Sequence, residues 1–193
     1  MKRSFFWVGL LFSMCSFSQV IAATETYTID PQHSYVLWNI NHFGFSNPSG
    51  KWMVHGTLEL DKSKPQQSKV DVTIHVADVI TGIPELDKHL KTKLFFYTEK
   101  FPTATFISDK ISMSGKKTAK IQGILTVRGV SKPIVLNATL NKLGQNPISN
   151  KMTAGFTATT QLKRTDFGIN TLSPGLGDDV KITIELEAYK KAS

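Results

Sequence analysis

The chain has 193 residues, with 23 lysines and arginines against 15 acids and a single cysteine. Cys15 falls in the apolar N-terminal stretch, so the rest of the chain has no thiol, which excludes a disulfide scaffold and cysteine chemistry. There is no Walker spacing and no aromatic–basic stacking motif, so neither a nucleotide site nor nucleic-acid binding is expected.

Lys2 and Arg3 precede an apolar run over 5–14, a more polar stretch (Ser16, Ser18, Gln19) and the small-residue exit Val20-Ile21-Ala22-Ala23. This order predicts a signal peptide over 1–23, cleaved after Ala22 or Ala23, ahead of one domain over 24–193. The run is shorter than the roughly 20 apolar residues of a spanning helix, and no stable membrane span is expected. Losing Lys2 and Arg3 lowers the basic count from 23 to 21 against 15 acids and leaves a net charge of +6. That excess would suit an anionic head group or an anionic membrane face. The lysines are scattered one or two at a time, however, and a solvated surface is the plainer reading.

After the exit the chain alternates with period two, the pattern of half-buried strands. Over 36–42 the apolar row is Val36, Trp38 and Ile40. Over 52–60 it is Trp52, Val54, Gly56, Leu58 and Leu60, and over 70–76 it is Val70, Val72, Ile74 and Val76. A strand over 104–113 has a mixed pattern and no fixed register. Later rows are Ile121-Gly123-Leu125-Val127, Ile134-Leu136-Ala138-Leu140, Met152 through Phe156 and Ala158 to Leu162, and Val180-Ile182-Ile184-Leu186. Turns fall at Asp30-Pro31, Asn47-Pro48-Ser49-Gly50, Ser63-Lys64-Pro65, Ser114-Gly115, Arg128-Gly129 and Gly144-Gln145-Asn146-Pro147. Asp178-Asp179 reads as a turn entering the last strand. One segment departs from the pattern: Pro84 opens a short helix near 84–92, with Leu86, Leu90 and Leu94 at intervals of four directed onto the sheet.

Strands joined mainly by short turns favour an all-β, closed antiparallel barrel over a sandwich. Small residues in the inward rows (Gly56, Gly123, Ala138, Ala154, Ala158) suggest that its interior is not completely filled, although small residues also pack against large ones.

Catalytic readings find little support in the residues. His33, His42, His55, His75 and His89 stand singly, without metal-ligand spacing, so a metal site would have to assemble through tertiary structure alone. Asp30, His33 and Ser34 contain the residue types of a hydrolase triad. As neighbours at a strand start, His33 and Ser34 would point to opposite faces, and a turn explains Asp30-Pro31. No metal and no catalytic residue is assigned, and binding is the better expectation.

The ordered motifs resemble the YceI family of lipocalin-like, polyisoprenoid-binding periplasmic proteins. They begin with Tyr27-Thr28-Ile29-Asp30-Pro31-Gln32-His33-Ser34 and Asn41-His42-Phe43-Gly44. Leu86-Asp87-Lys88-His89-Leu90-Lys91-Thr92 and Phe101-Pro102-Thr103-Ala104-Thr105-Phe106 follow. Gly123 to Pro133, Lys163-Arg164-Thr165-Asp166-Phe167-Gly168 and Leu176-Gly177-Asp178-Asp179-Val180 complete the set. Leu86 departs from the arginine that the family often has there. The resemblance implies an extended eight-stranded antiparallel barrel enclosing an apolar channel for a long isoprenoid or other lipid, without cofactor or catalysis, in a Gram-negative periplasm. It also implies a homodimer, for which no residue pattern speaks.

The expected channel lining is Val36, Trp38, Ile40, Trp52, Val54, Leu58, Val72, Ile74, Leu125, Leu136, Phe156, Ala158 and Ile184. His42 and Arg164 continue inward rows at strand ends and are the candidate head-group contacts. The reading is a periplasmic carrier of quinones or prenyl phosphates. Its rivals are a fatty-acid or fatty-amide carrier, a histidine-dependent metal-assisted hydrolase, and a barrel with a filled core.

Overall fold

The structure is a computed structural model that describes residues 24–191, and the signal-peptide reading lies outside those residues. Among the described residues ten strands form one antiparallel sheet: β1 (Glu25–Ile29), β2 (Tyr35–His42), β3 (Ser49–Met53), β4 (His55–Leu60), β5 (Lys69–His75), β6 (Thr103–Met113), β7 (Thr118–Val127), β8 (Val130–Gln145), β9 (Met152–Lys163) and β10 (Leu176–Lys190). The one α-helix among the described residues, α1, spans Pro84–Leu90 between β5 and β6.

The sheet closes through β10. One edge of β10 pairs with β9 from Asp179 to Tyr189. The other edge pairs with β2 from Leu176 to Glu185 and with β1 from Ala188 to Lys190. β1 and β2 therefore lie end to end as one strand interrupted at 30–34. Their partners β4 and β3 are likewise one strand, broken at Val54. Counted this way, eight strands circle the barrel in up-and-down order, the expected architecture. Closure leaves no long free edge to template pairing with other chains.

Side chains fix the interruption at 30–34. Asp30 accepts hydrogen bonds from the Gln32 N–H (3.0 Å) and from His33 Nδ1 (2.9 Å). Ser34 is fully buried, and its Oγ donates to the Glu187 carbonyl (3.0 Å) while accepting the Glu187 N–H (2.9 Å). One hydroxyl thus replaces the ladder bonds that the chain loses where β1 and β2 part.

Three sequence expectations need correction. β1 was not expected; it offers only Tyr27 and Ile29 to the interior, too short a row to stand out. Asp178 and Asp179 lie within β10, at a register slip between Leu176 and Val180, and the strand starts before them. Leu94 is exposed, because α1 ends at Leu90 and a tight turn brings Phe95 inward in its place. The mixed pattern over 104–113 also has a cause: a register shift between Ser108 and Lys110 interrupts the alternation of β6.

The topology gives the barrel two ends. The hairpin end carries the β4–β5 connection, the β6–β7 and β8–β9 hairpins, the start of β1 and the end of β10. The helix end carries the β2–β3 turn, α1, the Arg128-Gly129 turn and the loop between β9 and β10. Arg128 (φ 53°) and Gly129 (φ 74°) both have left-handed backbone, as a two-residue hairpin between Val127 and Val130 requires.

Candidate functional site

A continuous cavity of about 760 Å³ occupies the barrel axis. It reaches Ser46, Pro48, Ile83 and Leu172 at the helix end, and Pro65, Met113, Lys116 and Lys117 at the hairpin end. Its wall is built from the inward rows of the strands, so period-two alternation is what makes it apolar.

All thirteen expected lining residues face this cavity. β2 supplies Val36, Trp38 and Ile40, β3 supplies Trp52, and Val54 sits at the break before Leu58 on β4. Val72 and Ile74 come from β5, Leu125 from β7, Leu136 from β8, Phe156 and Ala158 from β9, and Ile184 from β10. Near the helix end Trp38 and Trp52 lie 6.3 Å apart, and Phe96 meets Trp52 edge-on at 5.1 Å. The Trp52 indole N–H is satisfied by the Val76 carbonyl at 3.0 Å, so this ring presents hydrocarbon to the cavity.

Other lining residues escape sequence reasoning. Phe95, Phe167 and Ile169 stand outside the strands, where periodicity carries no signal. Phe106 was hidden by the irregularity of β6. It also changes what the small residues mean. A Cβ on Gly123 would come within 2.6 Å of the Phe106 ring, and Ala138 and Ala158 pack in the same cluster. These small positions therefore accommodate Phe106, and the cavity is the space left beyond it.

His42 and Arg164 both line the helix end. Arg164 is only 6% exposed, and its guanidinium donates to four backbone carbonyls: Gly177 (2.8 Å), Ile169 (2.7 Å), Thr171 (2.8 Å) and Leu176 (2.9 Å). Burial lowers its pKa, and the Asp178 carboxylate opposes that shift. Arg128 stitches the same end, donating to the carbonyls of Gly168 and Lys93. Arg164 thus holds the β9–β10 loop in shape and has one N–H left over. His42 stacks edge-on against Phe43 at 4.7 Å.

The triad-like residues have a structural arrangement. His33 and Asp30 form an exposed pair. Burial pushes the Asp30 carboxyl up, but hydrogen bonds from His33 and the Gln32 N–H outweigh it and leave it below its usual range. Both hydrogen-bonding roles of the Ser34 hydroxyl are taken by Glu187. His55 and His75 stack at 5.5 Å on neighbouring strands. Among the described residues no cluster of three or more His, Cys, Asp or Glu side chains could hold a metal ion, and no helix is long and apolar enough to cross a membrane.

The sequence profile described as the YceI-like domain matches residues 27–188. A UPF0312 protein of Pseudomonas syringae pv. syringae is 35% identical over 192 residues, which cover 99% of each chain. One from Pseudomonas fluorescens is 34% identical over 192 residues, again 99% of each. The crystal structure of the Campylobacter jejuni YCEI protein superposes with a TM-score of 0.71 at 32% identity, covering 79% of this chain and 90% of that one. A polyisoprenoid binding domain from Saccharophagus degradans superposes with a TM-score of 0.66 over 86% of this chain and 98% of its own; at 13% identity it shares the fold alone. With a matching profile across nearly the whole barrel and relatives alike from end to end, the chain belongs to the YceI family.

Proposed function

We propose that this protein is an exported, periplasmic carrier that holds a long isoprenoid-type lipid, of the quinone or prenyl phosphate class, inside the barrel. One observation carries the reading: a continuous apolar cavity of about 760 Å³ runs along the axis, in the upper part of the about 300–1,000 Å³ range of ligand pockets. Each methylene withdrawn from water contributes about 0.8 kcal/mol, so a prenyl tail has a strong reason to enter such a channel and little need of directed contacts. The thirteen lining residues above serve as tail contacts. The fold shared with a domain described as polyisoprenoid-binding agrees with the reading. The occupied hydroxyl of Ser34 favours binding over hydrolysis.

Native mass spectrometry of protein purified from the periplasm without added lipid tests this. Co-purifying prenyl species, on a chain that begins at Ala23 or Thr24, are expected. A chain that comes off empty and takes up no added prenyl lipid would overturn the carrier reading. An intact N-terminus would overturn the export reading alone.

A further inference from the structure

The lysines are scattered in sequence, but the topology collects many of them. The three connections at the hairpin end, with the last residues of β8, bring together Lys62, Lys64, Lys116, Lys117, Lys142 and Lys151. Of the acids at this end Glu25, Glu59 and Asp61 are already engaged, while Asp71 and Asp109, further along β5 and β6, are exposed without an ion pair among the described residues. Glu25 pairs with Lys62 (2.6 Å) and Lys190 (2.8 Å), and Glu59 lies 4.0 Å from Lys69. Asp61 is buried, and its Oδ1 accepts hydrogen bonds from the Ser63 and Lys64 N–H groups. Among the described residues Lys64, Lys116, Lys117 and Lys142 are exposed and make no ion pair. The helix end also carries exposed lysines without an ion pair, Lys93, Lys100 and Lys132 among them, but there they stand among more acids: Glu85 pairs with Lys88, Asp178 and Asp179 with Lys163, and Asp78, Asp87, Glu99 and Asp166 lie on the same end.

Two further observations fall on the same end. Ile148, at the tip of the β8–β9 hairpin, is 93% exposed, and Met113 beside the β6–β7 turn is exposed too. The cavity wall also reaches this end at Lys116 and Lys117. An apolar tip among unpaired lysines matches a surface of anionic head groups above hydrocarbon. A folded protein partner with an acidic face would answer the lysines but not the lone projecting isoleucine.

We propose that the hairpin end is a docking surface for an anionic lipid bilayer, with Ile148 entering the interface and Lys64, Lys116, Lys117 and Lys142 over the head groups. Docked this way, the lysine-rimmed end of the channel faces the membrane, so lipid can pass between the two without crossing water. This last step rests on the carrier reading; the docking rests on charge and hairpin geometry alone.

The test is co-sedimentation of the mature chain with phosphatidylglycerol-containing vesicles and with pure phosphatidylcholine vesicles. Binding to the anionic vesicles only, weakening steeply with added salt, is expected. The combined variant Lys64→Glu, Lys116→Glu, Lys117→Glu, Lys142→Glu should lose about a hundredfold or more in affinity. Ile148→Asp should weaken binding, whereas Phe45→Asp, at the 90% exposed Phe45 of the helix end, should leave it unchanged. Wild-type protein that ignores anionic vesicles, or binds neutral ones equally, overturns the proposal. Loss with Phe45→Asp but not with the lysine reversals overturns it as well. The salt titration of the wild type stands even where a variant fails to fold. Ala158→Phe, which narrows the channel, separates the two readings: vesicle binding should persist when lipid uptake falls.

Discussion

Arg164 shows how a residue can be placed correctly by sequence and still have a different occupation. Parity along β9 puts it at the cavity mouth, but nothing in parity tells where a guanidinium's donors go. They go to four carbonyls of the loop that closes the helix end. Arg164→Met would leave those carbonyls unsatisfied in a buried setting and should lower unfolding free energy by about 3–5 kcal/mol in urea denaturation. Arg164→Lys keeps the charge but not the planar fork, and should fall between the two. Ser34 is the smaller counterpart. Ser34→Ala should cost about 1–2 kcal/mol, read in the same assay, since it leaves the Glu187 N–H without its partner and the Glu187 carbonyl with the Asp30 N–H alone.

Glu25 links residue chemistry to pH. Hydrogen bonds from Lys190 and then Lys62 hold its carboxyl down from 4.5 to about 2. Because the folded value lies below the unfolded one, the stabilisation is complete above about pH 4.5 and fades as pH falls toward about 2. Glu25→Gln should therefore be less stable than wild type near neutrality. The gap between their urea midpoints should close on acidification; a constant gap would contradict the assignment.

At the scale of elements, most strands and α1 are legible because each carries its own period, whereas β1 is too short and β6 too irregular to show one. Rows such as Val36-Trp38-Ile40 and Val180-Ile182-Ile184 state which side faces in, whatever their partners are. What stayed hidden depends on partners. β1 and β2 are one barrel position only because both lie along β10, a relation between residues more than a hundred positions apart in the chain. Phe95 and Ile169 reach the cavity from irregular segments that have no period to read. The small-residue rows admit both an incompletely filled interior and packing against large residues, and both occur: Gly123 is the platform on which Phe106 lies, and the cavity opens beyond it. Ala158→Phe sets a second large ring against Phe106. It should reduce uptake of a long-chain ligand at least tenfold in a fluorescence titration, at a stability loss of about 1–3 kcal/mol.

For the whole molecule, one alternating pattern has two consequences. Alternation inward makes a wall of hydrocarbon around an open axis, and up-and-down connection sends every second turn to the same end. The first makes the interior suitable for a chain-like lipid. The second gathers Lys64, Lys116, Lys117 and Lys142, far apart in the chain, at one end, which no local reading of the sequence could weigh.

A carrier role depends on that axis being open to a long apolar chain. Trp38 and Trp52 both face it and report its occupation, so their fluorescence can be followed while delipidated protein is titrated with a series of quinones that differ only in prenyl tail length. Affinity should climb with each added isoprene unit, approaching the limit of about 0.8 kcal/mol per methylene, and level off once the tail fills the channel. Binding that is absent, or that stays the same from the shortest tail to the longest, would contradict it.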